Sequence, residues 1–124
     1  MLRAQAKAAV ADFNHDMKAG GMAHVRDRKD ACWAELSRMP LDPVDPAEAK
    51  AAYCAAYVYV AHFVDGAVAK QLQRPPSPSF ERDAVITEIR DGLMAAQCPP
   101  ESVNNLAGLI VSRALEELDC SARR

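Results

Sequence analysis

Three histidines, His15, His24 and His62, are the side chains expected to titrate near neutrality without help. Two of them share a pattern: His24 precedes Asp27 by three residues, and His62 precedes Asp65 by three. A His and an Asp at that spacing lie on one face of a helix. Two such pairs on neighbouring helices could converge on a metal, much as the Glu-x-x-His pairs of carboxylate-bridged bundles do. Those sites are built in the bundle core and need further carboxylate ligands. Helical periodicity instead puts His24 and His62 on the polar sides of their segments. Solvated pairs are the expectation, and no metal ligand is assigned.

The remaining chemistry is thin. The glycines (Gly20, Gly21, Gly66, Gly92 and Gly108) form neither a dinucleotide nor a Walker loop, and no nucleophile-elbow serine occurs. Glu116 and Glu117 are neighbours on a helical repeat and point apart, so they cannot act as an acid/base pair. The cysteines, Cys32, Cys54, Cys98 and Cys120, are spaced 22, 44 and 22 residues apart with no matching flanks to mark a repeat. None falls in C-x-x-C, and no His stands at zinc-finger spacing. Free thiols in a helical core are expected, with a cytoplasmic location. No catalytic residue and no cofactor are assigned, and the chain is not expected to be an enzyme.

The elements that would carry these side chains are helical. Of 124 residues, 24 are Ala and only 14 are Val, Ile or Thr, which favours helix over strand. Half the residues are apolar, too many for a disordered chain. The net charge of -2 argues against a surface devoted to nucleic acid. No run of 18 uninterrupted apolar residues marks a membrane span, and Arg3, Lys7 and Asp12 break up any signal sequence at the start. Breaks at Gly20-Gly21, at the prolines Pro40, Pro43 and Pro46, at Pro75-Pro76 and Pro78, and at Pro99-Pro100 separate five helical segments. They are predicted at roughly 2–19, 22–39, 46–73, 80–97 and 101–119.

The predicted fold is a single all-α domain over 1–124, a compact bundle with the long third helix central. Asp45, Pro46 and Glu48 open that helix as a capping box. Gly20 is expected to end the first helix, and Ser77 or Ser79 to cap the fourth. In the second segment, Asp27 and Lys29 project from the apolar arc, so they must either overhang the core or meet a partner.

Two surfaces follow from these helices. Tyr59, His62 and Lys70 lie on one polar stripe of the third helix, with Arg74 just beyond it. Leu109 and Leu115 widen the apolar arc of the fifth. These six are the candidate protein interface, because Tyr and Arg are favoured anchors. The expectation is a non-enzymatic interaction protein, an accessory subunit, adaptor or inhibitor, docking onto another protein or a multi-subunit assembly. Self-association is compatible with it, and a membrane is not implied. The second surface is a basic edge of Arg3, Lys7 and Lys18, which Arg26, Arg28 and Lys29 would extend if the Gly-Gly break folds those segments together. Such an edge could track single-stranded nucleic acid within a nucleoprotein complex. In size and helical class the chain resembles the small helical subunits of CRISPR effector complexes, and that resemblance implies the same kind of contact.

Overall fold

A computed structural model describes residues 2–40 and 44–98, with side chains from 4 and from 46 onward. The described residues are helical: α1 Leu2–Ser37, α2 Val44–Gln71, a 3₁₀ turn Pro78–Phe80, and α3 Arg82–Ala95. The five separate helices expected from the sequence are more than these three. The first two are one run folded at a glycine, and the segment 101–119, with Leu109 and Leu115, lies outside the described residues.

At 1.5 Å per residue, the twelve positions from Asp16 to Arg28 would span about 18 Å of straight helix. Instead, Arg28 Nε meets Asp16 Oδ2 directly. The chain therefore doubles back at Gly21, whose φ of 68° and ψ of -157° only glycine adopts readily. Gly20, expected to end the first helix, is not the residue with positive φ. It makes room instead, because a Cβ there would come within 2.8 Å of the His24 Cβ.

Helix α2 packs against both arms of this hairpin. Tyr53 and Tyr57 meet Asp12 and Asp16 in rising order, so the first arm runs parallel to α2. Cys54 and Lys50 meet Cys32 and Glu35 in falling order, so the second arm runs antiparallel. The other side of α2 is covered by the 3₁₀ turn and α3, which bring Phe80, Val85, Ile89 and Leu93 into the core. A helix covered on both sides has no need of a polar stripe. Accordingly Ala51, Ala52, Cys54, Ala55, Ala56, Tyr57, Val58 and Tyr59 are all buried, and the small alanines allow close approach. Pro46–Gln71 is long and apolar enough to cross a membrane, yet 56% of its most apolar window is buried inside the protein.

The cysteines correct an expectation. Cys32 and Cys54 form a disulfide between α1 and α2, and Cys98 is disulfide-bonded too. Among the described residues there is no free thiol. Periodicity puts Cys32 on a core face, but only the packing of α1 on α2 shows that Cys54 stands opposite.

Both later helices end in the same way. Arg74 N–H donates to the Ala69 carbonyl and Gln73 N–H to that of Lys70, and Cys98 and Gln97 do likewise to Leu93 and Met94. This is the Schellman arrangement, with Gln73 (φ 54°) and Gln97 (φ 59°) where glycine is usual. At its start, α3 has Glu81 as N-cap with no side-chain cap, and Ser77 caps neither helix nor turn with its side chain. Ser77 is engaged by Asp65 instead.

Candidate functional site

The densest polar cluster lies where the hairpin meets α2. Asp16 is fully buried. Its Oδ2 accepts the Tyr57 hydroxyl at 2.6 Å and faces the Arg28 guanidinium. One turn earlier, Asp12 Oδ2 accepts the Tyr53 hydroxyl at 2.5 Å. The Tyr53 and Tyr57 rings stack with centroids 6.1 Å apart, and Phe13 packs edge-on against Tyr57 at 6.0 Å. The two Asp–Tyr pairs thus form a ladder with i, i+4 spacing on both helices. That matched spacing is visible in the sequence, but nothing there sets the register of α1 on α2.

Burial works against the charge on Asp16, but the Tyr57 hydrogen bond and Arg28 outweigh it and hold the carboxyl below its ordinary range. Burial, then the bonds to Asp16 and Asp12, push the hydroxyls of Tyr57 and Tyr53 above theirs. Arg28 loses solvent, but its hydrogen bond and attraction to Asp16 strengthen its hold on the proton. Asp16, Arg28, Tyr53 and Tyr57 are each driven further into their resting protonation states. This suits a clamp, since general acid/base work needs groups poised near the working pH.

Asp16 has one loose end. Its Oδ1 is buried and accepts no hydrogen bond. Two imidazole nitrogens stand near it, His24 Nε2 at 3.3 Å and His15 Nδ1 at 3.7 Å. Beside this point lies a shallow depression of about 280 Å³ lined by His24, Asp27, Arg28 and Ala31. On the other side of Arg28 is an open groove of about 510 Å³, in which Asp12, Tyr53 and the Glu35–Lys50 pair (2.8 Å) face solvent.

The second His-x-x-Asp pair is structural. His62 Nδ1 lies 2.7 Å from the Phe80 carbonyl, which can only accept, so Nδ1 carries the proton. Asp65 accepts the Ser77 N–H and the Ser77 hydroxyl, each at 2.8 Å. His62 and Asp65 therefore hold the proline-rich loop against α2. The expectation of two solvated pairs fails here, because the loop folds back over this face.

The other candidate residues are dispersed. Tyr59, expected on an exposed stripe, is buried, while Lys70 and Arg74 are exposed. Of the basic edge, Lys7, Lys18 and Arg26 are exposed, and the Arg3 side chain lies outside the described ones. Arg28 is engaged by Asp16. Lys29 is buried, with its ammonium 2.7 Å from Glu88 Oε1 and 3.0 Å from Asp30. Glu88 Oε2 also accepts the Trp33 indole N–H at 3.3 Å. Desolvation would weaken the Lys29 charge, but Glu88 and Asp30 more than restore it. Lys29 thus meets its partner on α3, and the basic edge is shorter than expected.

Missed by sequence reasoning is Phe63. It is 61% exposed, and its ring leans on Tyr59 (5.0 Å) and His62 (5.4 Å). No group of three or more His, Cys, Asp or Glu side chains stands ready at metal-coordinating geometry among the described residues. Comparison with protein-family models, curated proteins and solved structures finds no significant match.

Proposed function

We propose that this chain is a non-enzymatic interaction protein: a single helical bundle that docks onto a larger protein or assembly as an accessory subunit, adaptor or inhibitor. The observation that carries this reading is Phe63. A large aromatic ring is held open to solvent by a buried tyrosine and by a histidine that is itself tied to the Phe80 carbonyl. Such an anchor loses little freedom on binding, the property that makes rigid aromatics dominate interfaces. Seven residues on, Lys70 lies on the same helical face, and Arg74 follows at the helix end, so an apolar anchor is flanked by cations. An acidic partner surface with an apolar pocket fits that face.

The inventory of polar groups supports the same reading. Asp16, Lys29, His62 and Asp65 hold segments of the chain together, and their geometry describes no reaction. The Cys32–Cys54 disulfide favours an oxidising compartment over the cytoplasm expected from the sequence, since reducing pools keep cytosolic thiols free.

The test is co-purification from the native host after cross-linking, with and without nuclease, for the natural chain and for Phe63→Asp. A nuclease-resistant protein partner lost in Phe63→Asp, with the melting temperature unchanged, is expected. A partner released by nuclease would favour the nucleoprotein reading and the exposed Lys7, Lys18 and Arg26. A lone monomer, or a partner retained by Phe63→Asp, would overturn the proposal.

A further inference from the structure

We propose, on the basis of the docking reading of Phe63, that the cleft beside it binds the C-terminal residue of a partner polypeptide. The partner would present an aliphatic side chain together with its free terminal carboxylate. The cleft lies between α2 and α3, has a volume of about 80 Å³, and is lined by Tyr59, His62, Phe63, Arg82, Val85 and Ile86. An apolar cavity of about 150 Å³ holds a benzene ring, so this smaller one suits a single branched aliphatic side chain. Its walls are of the matching kind. Tyr59 and Val85 are buried, Ile86 is half-buried, and Phe63 forms the exposed wall.

Arg82 is what sets this cleft apart from an ordinary seam between helices. His62 is committed through Nδ1 to the Phe80 carbonyl, which leaves Arg82 as the lining residue with a permanent charge. Arg28, Arg74 and Arg90 stand beside Asp16, Asp65 and Asp91. Arg82 is exposed, and among the described residues no carboxylate pairs with it. Its charge does reach the cleft: burial raises the Tyr59 hydroxyl above its ordinary range, and Arg82 pulls against that rise. Arg82 and Ile86, four residues apart, share one face of α3. Asp83 stands about 100° round the helix from them, and Glu81 precedes the helix as its N-cap.

An unpaired guanidinium at an apolar cleft is complementary to a carboxylate joined closely to an aliphatic group. The two ions meet through parallel hydrogen bonds, which fix orientation as well as charge. The last residue of a polypeptide bears both groups on one Cα. An internal Asp or Glu carries its carboxylate on a different residue from the aliphatic side chain, and neighbours in an extended segment point to opposite faces. Because Phe63 is both the anchor and a wall of the cleft, docking that buries its ring also closes the cleft over the bound terminus.

The experiment uses the oxidised full chain, isotopically labelled and titrated by nuclear magnetic resonance with synthetic peptides. The probes are acetyl-Gly-Ser-Gly-Ser-Leu with a free carboxylate, the same peptide as its C-terminal amide, and the free acid ending in Gly instead of Leu. Saturable shifts centred on Phe63, Arg82, Val85 and Ile86 are expected with the free Leu peptide. The amide and the Gly-ended peptide should each bind about tenfold more weakly or worse, the scale of one lost charge-assisted hydrogen bond or one unburied side chain. Arg82→Gln should weaken the free Leu peptide by about tenfold or more and abolish the preference for acid over amide. Arg90→Gln, with its charge removed from the same helix, should change neither. No saturable shift at these residues, an amide or a Gly-ended peptide bound as tightly as the Leu acid, or a preference retained in Arg82→Gln would overturn the inference. Co-purification separates the two levels: a partner lost in Phe63→Asp but kept in Arg82→Gln overturns the terminal-carboxylate contact alone, whereas a lone monomer overturns the docking reading and this inference with it.

Discussion

Two aspartates are almost wholly buried, Asp16 on α1 and Asp65 on α2, and the protein handles them in opposite ways. Asp65 is met locally. Both its oxygens are satisfied by Ser77, twelve residues away, and its nearest cation, Arg74, stands at 3.9 Å. Asp16 is met from a distance, by a tyrosine 41 residues away on α2 and by an arginine from the returning arm of α1, and it keeps one oxygen unbonded. The first is a loop fastening made of neutral donors. The second is a junction of three helical segments made with a counter-charge. Burial alone therefore does not tell what a carboxylate does; the sequence separation and charge of its partners do.

The largest expected effect is at the junction. Asp16→Ala leaves the buried Tyr57 hydroxyl unpaired and removes the counter-ion of Arg28. Removing one partner of a buried pair costs roughly 3–5 kcal/mol, and Arg28, partly open to water, moves the expectation to about 3 kcal/mol. Urea denaturation of the oxidised protein measures it. The pH dependence has a definite sign. The carboxyl of Asp16 titrates below its ordinary 3.8 in the folded chain, so its contribution is present above that value. It is lost as pH falls through the folded value. Asp16→Asn should flatten that acid limb, and a limb of unchanged depth would place the acid sensitivity elsewhere.

Close behind is the disulfide that ties α2 to the second arm of α1. Cys32 and Cys54 close a loop of 22 residues, and a cross-link of that span typically contributes about 3 kcal/mol. Replacing both by Ala should lower stability by that order, read as a shift in the urea midpoint. If the pair is worth under about 1 kcal/mol, the apolar core and the Asp–Tyr ladder hold α1 on α2 without it.

Asp65→Ala should cost less, about 1–2 kcal/mol, the range for leaving a polar partner unsatisfied. Its effect should also be local. Amide exchange should quicken across residues 74–80, where Ser77 and Phe80 are tethered, and stay unchanged at Tyr53 and Tyr57. Exchange that quickens equally along α1 would erase the distinction between the two aspartates.

Much of the helical layout is legible in the sequence because it rests on local signals. Proline clusters and the Gly20-Gly21 pair mark breaks, and 3.6-residue periodicity marks Phe13, Val85, Ile89 and Leu93 as core. Periodicity fails on α2, where it assigns Tyr59 to a polar stripe. A helix covered on both sides buries residues all round, and the pattern then carries no direction. The site is mostly hidden for a different reason. Asp12 and Asp16 match Tyr53 and Tyr57 in spacing, but the register between helices depends on the hairpin, and one sequence does not state it. Lys29 is half an exception: a charge in an apolar arc must overhang the core or meet a partner, and the structure takes the second course at Lys29, which meets Glu88, and leaves Asp27 exposed.

The smallest effect should be a gain, at the entry to the loop that Asp65 fastens. Gln73 ends α2 with φ at 54°, a left-handed conformation that costs a residue with a Cβ about 1–2 kcal/mol. Glycine removes that cost but brings more freedom to the unfolded chain, and the two effects oppose each other. The net expectation for Gln73→Gly is a stabilisation of about 0.5 kcal/mol, measured as a small rise in the urea midpoint. Gln97 ends α3 at φ 59° with the same pair of backbone hydrogen bonds, so Gln97→Gly is its internal control. Equal gains would show that the left-handed cap alone sets the energy. A gain at Gln97 with none at Gln73 would mean that the Asp65–Ser77 fastening already imposes that turn on the chain, and that the local tether is stronger than its two hydrogen bonds imply.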